Sequence, residues 1–251
     1  MTTENPYQPP TAKLHEDIIA TGEAGGTLTD GIEGNYDFEI MEVIKEAWQK
    51  TTGFKGTLLA AGFIIFLVFF ALNIALTFII SSLSLEENIA AVLINQLILT
   101  AVIYPFMAGI MMLGVRRAVD LPVSFSMAFG YFGYTVSLVI AALIIMVFTT
   151  IGLFLLIIPG LYLSVAYLLT VPLIVEKNMG PWRAMESSRK AITHHWFKVF
   201  LTYLIMGIIY IISIIPLGIG LIWTLPMMVN VSGILYRIMF GVEEARQGES
   251  R

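Results

Sequence analysis

The stretch LPVSFSMAFGYFGYTVSLVIAALIIMVFTTIGLFLLIIPGLYLSVAYLLTVPLIV, Leu121 to Val175, runs for 55 residues without an Asp, Glu, Lys or Arg. As one helix it would be ~80 Å long, far beyond the ~30 Å hydrocarbon core of a bilayer, so it must fold back. Pro159 and Gly160 mark the expected turn. Three further uncharged runs lie on either side: Gly56 to Leu85 (30 residues), Asn88 to Val115 (28) and Val199 to Tyr236 (38). The last is also too long for one crossing, and Pro216, Gly218 and Gly220 divide it. The sequence therefore predicts an all-α integral membrane protein with six transmembrane helices, about 56–81, 88–115, 131–157, 160–176, 198–215 and 219–238.

Composition agrees, since 57% of the 251 residues are hydrophobic and 13% charged, against about 25% charged in soluble domains. The chain has no cysteine, which excludes disulfides, thiolate nucleophiles and cysteine metal sites.

Lysine and arginine remain on the cytoplasmic side of a membrane, and with six spans all fourteen fall on one side. The opposite side carries only Glu86 and Glu87 and two short neutral turns. Both termini are thus expected in the cytoplasm. No basic n-region followed by an apolar h-region opens the chain, so the first span is expected to direct insertion.

Residues 1–34, with Pro6, Pro9, Pro10 and the Gly25-Gly26 pair, hold too few large apolar groups for a core and read as a disordered acidic cytoplasmic tail. Residues 1–44 hold nine acids and one lysine, whereas 45–251 hold thirteen bases and nine acids, so the net charge of −4 comes from the tail. The membrane domain, 35–251, is expected to carry interfacial helices near 37–50, 122–130 and 181–196. In the first, Ile40, Met41, Ile44, Ala47 and Trp48 gather at helical spacing with Asp37 as a plausible N-cap. In the last, Trp182, Met185, Ile192 and Trp196 gather opposite Arg183, Glu186, Lys190 and His194. Such helices lie in the headgroup layer.

An internal repeat runs through this plan. The even-numbered spans align on Pro105, Pro172 and Pro226, and eleven residues after each stands an arginine: Arg116, Arg183 and Arg237. The unit is an interfacial helix followed by a helical hairpin, three times over. Each proline frees a carbonyl and bends its helix, so three bent helices could surround a cavity or form a hub. Glu176 and Asn230 recur near the cytoplasmic ends of two units as a possible polar mouth.

Ile158-Pro-Gly-Leu-Tyr-Leu-Ser-Val-Ala-Tyr167, Val171-Pro-Leu-Ile-Val-Glu176, Gly180-Pro-Trp-Arg-Ala-Met-Glu-Ser-Ser188 and His195-Trp-Phe197 resemble the bacterial six-helix membrane proteins that include the YciC-like proteins and the membrane domain attached to some glycerophosphodiester phosphodiesterases. The resemblance is clearest over 155–200. It implies a polytopic protein of the bacterial inner membrane, with no catalytic residues to carry over and no counterpart of the phosphodiesterase domain.

No span carries a charge near its centre, where intramembrane catalysis or proton coupling would need one. Glu176 stands at an edge beside Lys177, as an ion pair would. His194 and His195 are adjacent, point about 100° apart on a helix and do not make an i,i+4 metal pair; no metal or other cofactor is expected. The favoured reading is a non-enzymatic scaffold or membrane-homeostasis protein. Its lipid- or partner-binding residues would be Arg116, Arg117, Trp182, Arg183, Arg189, Lys190, Trp196, Lys198 and Arg237, with anionic lipid headgroups, a second copy or another membrane protein as partners, and no nucleic acid. The alternative is a lipid or small-molecule transporter or channel lined by the proline-bent helices, with Asn73, Asn95, Gln96 and Asn230 as its available polar groups.

Overall fold

The computed structural model describes residues 25–245, so most of the acidic tail lies outside the described residues. Within them the chain is helical, and six helices are long and apolar enough to cross a membrane. Helices α1 (Leu28–Glu33) and α2 (Ile40–Thr51) lead into a hairpin of α3 (Lys55–Ser82) and α4 (Ile89–Ala118). Two 3-10 turns, Phe125–Phe129 and Phe132–Tyr134, precede a second hairpin of α5 (Thr135–Leu155) and a broken partner, α6 (Ile157–Ala166) and α7 (Thr170–Glu176). Helix α8 (Pro181–His194) precedes the third hairpin, α9 (Trp196–Ile214) and α10 (Leu221–Phe240).

Helix α4 lies at the centre, against α10 on one side and α5 and α7 on the other. Its crossing with α10 is backbone to backbone. A Cβ on Gly233 would stand 2.2 Å from the Gly114 carbonyl oxygen, and one on Gly114 would stand 2.4 Å from that of Val229. Two glycines are required there because any side chain would force the helices apart. Residues following Pro105, Pro172 and Pro226, among them Met112, Leu173, Ile174, Met227 and Ile234, fill one apolar core.

Each interfacial segment packs away from its own hairpin. Helix α2, before the first hairpin, lies under α9 and α10; the first 3-10 turn, before the second, lies on α3 and α4; α8, before the third, lies on α5, α6 and α7. The hairpins touch pairwise through α4–α10, α4–α5 and α6–α9. The three segments therefore interlock the hairpins in a closed circuit.

Several expectations are revised. The turn in the 55-residue run falls at Leu155 and Leu156, not at Pro159, which sits in the first turn of α6, where a missing N–H costs nothing. Gly152 and Gly160 then let the two arms meet at van der Waals distance. Asp37 does not cap α2: Glu39 holds that position, while the Asp37 carboxylate accepts from the Phe38 N–H (2.8 Å) and Lys198 (2.6 Å). The segment near 122–130 is a 3-10 turn instead of an α-helix. Residues 25–34, assigned to the tail by composition, hold an ordered helix because Thr27 and Asp30 close a reciprocal capping box. Gly26 and Gly31 also fit against carbonyls at the end of α10. Helix α2 buries Val43, Ile44 and Ala47 but leaves Met41 and Trp48 more than half exposed.

Candidate functional site

The basic side chains gather at the end of the bundle that holds α2, α8 and the C-terminal ends of α4 and α10, and most are turned inward. Arg237 makes a two-pronged pair with Glu46 (2.7 and 2.9 Å) and donates a third bond to the Ala118 carbonyl at the end of α4 (2.6 Å). One guanidinium thereby ties α2, α4 and α10 together, a geometry lysine does not reproduce. Arg117 donates to the carbonyls of Lys50 and Thr52 (3.0 and 3.1 Å), capping the end of α2. Arg116 pairs with Glu244 and donates to the Pro122 carbonyl. Lys50 completes this group through Asp120 at 2.8 Å and Glu46 at 3.7 Å.

Lys198 holds Asp37 and the Phe38 carbonyl, joining the start of α9 to the strand-like link before α2. Its ammonium and the Phe38 N–H hold the Asp37 carboxyl below the usual carboxylate range. On α8, Arg189 grips Glu186 in a two-pronged pair (2.9 and 2.7 Å), with Lys190 at 3.7 Å. That grip lowers the Glu186 carboxyl and raises the arginine. The expected lipid-facing set thus divides. Arg116, Arg117, Arg189, Lys198 and Arg237 bind protein acids or carbonyls, whereas Lys190 and Arg183 are exposed. Arg183 has no ion-pair or hydrogen-bond partner among the described residues. Trp182 is 61% exposed and lies edge to face with Phe148. Trp196 instead turns inward, stacking on Phe200 and donating to the Tyr162 carbonyl at 3.2 Å.

The proposed polar mouth is not formed. Asn230 is fully buried and donates to the Ala47 carbonyl at 3.1 Å, anchoring α2 to α10. Glu176 is buried too, accepting from the Tyr236 hydroxyl at 2.7 Å and the Glu243 N–H at 2.6 Å, with Lys177 at 3.1 Å. A buried carboxylate needs these partners, and they lock α7 to α10. Pro105 and Pro226 lie inside continuous helices, while Pro172 lies in the first turn of the piece of span four that follows a break.

Ser188, a residue without distinction in the sequence, mends that break. Its hydroxyl donates to the Ala166 carbonyl (2.7 Å) and accepts from the Leu169 N–H (3.2 Å), replacing bonds the interrupted helix lacks. The amphipathic pattern places the neighbouring Ser187, not Ser188, on the polar flank of α8. Both serines are buried, and the interrupted helix draws Ser188 inward because a freed backbone pair inside the bundle demands a polar partner.

His194 meets the Ile32 carbonyl at 3.0 Å, and His195 lies beside Asp37 and the Tyr36 ring. Burial, with Asp37 alongside, raises the Tyr36 hydroxyl above its ordinary range, and that hydroxyl donates to the Ala191 carbonyl at 2.7 Å. Both histidines and Tyr36 thereby fasten the α1–α2 region to α8. Among the described residues no three His, Asp or Glu side chains converge as metal ligands would.

Compared with protein families, curated proteins and solved structures, the chain matches none.

Proposed function

We propose that this chain is a non-enzymatic, multi-pass protein of the bacterial inner membrane, akin to the YciC-like group, with both termini cytoplasmic. It would serve as a scaffold or membrane-homeostasis component. The observation that carries this reading is the division of the basic residues: Arg116, Arg117, Lys198 and Arg237 are spent joining separate segments and Arg189 is spent on Glu186 within α8, leaving a fixed plate. On its outside stand Trp182, Arg183 and Lys190. An aromatic ring beside two exposed cations suits anionic headgroups or an acidic partner.

The threefold duplication belongs to the same reading. It is supported by the circuit in which each interfacial segment packs on the neighbouring hairpin, as a unit repeated around an axis would do. The alternative, passage between the proline-bearing helices, draws less support because apolar side chains fill the space after the prolines.

Native mass spectrometry of the full chain with lipids retained tests the proposal. A stable assembly, with itself or with another membrane protein, and retained anionic lipid are expected; a monomer carrying neither refutes it. Reporters fused beside Glu86 and after Arg251 test orientation, with the first expected outside and the second in the cytoplasm.

A further inference from the structure

Away from the basic end, α3, α4 and α5 leave a lateral cavity of about 580 Å³, within the 300–1,000 Å³ of small-ligand pockets. At 1.5 Å per residue Gln96 lies ~10 Å and Tyr104 ~22 Å along α4 from its neutral end, so the cavity runs ~12 Å along the helix through the middle of a ~30 Å hydrocarbon core. Its wall is mostly apolar, with Phe69 and Met146 at opposite sides, but Asn73, Gln96, Thr100 and Tyr104 all face it. Thr100 donates to the Gln96 carbonyl one turn back. The carboxamides of Asn73 and Gln96 and the Tyr104 hydroxyl make no hydrogen bond to any described residue.

Uncompensated amides and hydroxyls in hydrocarbon are costly. Three from two helices converging on one cavity point to something that satisfies them. The lining carries no charge, so an ionised headgroup would be stranded there, whereas a neutral amphiphile would leave neither its tail nor its polar atoms unmatched. We infer that this cavity binds a neutral, hydroxyl-bearing lipid drawn sideways from the bilayer, its hydroxyl and ester oxygens on Asn73, Gln96 and Tyr104 and its chain along Phe69 and Met146. The site is independent of the scaffold reading, since none of its residues lies at the basic end.

The test uses the full chain in nanodiscs containing a diazirine-bearing diacylglycerol, with a matching phosphatidylglycerol probe in parallel. Diacylglycerol crosslinks are expected on 69–73, 93–104 and 142–146, at least tenfold above those of the anionic probe. Asn73→Leu/Gln96→Leu should lower them at least tenfold. Tyr104→Phe, which removes one oxygen and leaves packing intact, should lower them severalfold and guards against loss through misfolding. Equal labelling by the two probes, labelling confined to other surfaces, or labelling unchanged in both variants overturns the inference, as does capture of a protein helix in the cavity instead.

Discussion

Replacing Gly233 by alanine tests the α4–α10 crossing on which the bundle is built. The new Cβ would lie 2.2 Å from the Gly114 carbonyl oxygen and 2.3 Å from its carbon, both backbone atoms. Real Cβ atoms do not approach within 3.0 Å, so the helices must separate by about 0.8 Å at the crossing. A gap of that size forfeits a quarter to a half of each dispersion contact along the seam, and overpacking of this kind costs about 1–3 kcal/mol. Gly207→Ala on α9 is the matched control. Its Cβ meets nothing within 4 Å, so the helix preference for alanine, about 1 kcal/mol, is free to act in the stabilising direction. Denaturation of the full chain in mixed micelles by increasing SDS should therefore move the two midpoints in opposite directions. Equal shifts, or a neutral Gly233→Ala, would refute the close crossing.

Other outcomes follow from the polar contacts. Ser188→Ala leaves the Leu169 N–H and Ala166 carbonyl without their partner and should cost about 1–3 kcal/mol, with faster hydrogen exchange over 166–170. Arg237→Lys should fail to restore the stability lost in Arg237→Ala, because an ammonium cannot fork to Glu46 and also hold the Ala118 carbonyl; full rescue by lysine would contradict this geometry. The Asp37 carboxyl is depressed in the folded state, so its contribution is complete above the ordinary value of 3.8 and lost as pH falls through the folded value. Asp37→Asn should flatten that acid limb of the stability profile and leave neutral pH dependence unchanged. Arg183→Ala/Lys190→Ala should reduce retained phosphatidylglycerol without changing the unfolding midpoint, whereas Arg116→Ala should do the reverse.

Solvent preference was legible residue by residue: the four uncharged runs are statements about hydrocarbon that need no tertiary contact, and six apolar helices follow from their lengths. The ends of those helices were legible to within a few residues wherever charge or a proline-glycine cluster stops them. The same composition reasoning assigned 25–34 to a solvated tail, because a capping box and three glycines mean little until the end of α10 is there to receive them. The role of each arginine was likewise hidden. Leaflet bias explains why a base lies at a span end, but whether it meets a lipid phosphate or Glu46 depends on residues up to 191 positions away. Ser188 and Asn230 show the same limit, since a polar side chain follows a local pattern only until a freed backbone group elsewhere needs it more. Membrane residence was thus written in short-range hydrophobicity, whereas which groups are spent inside and which are left to bind was settled by helix packing, because only contact at a distance along the chain supplies their partners.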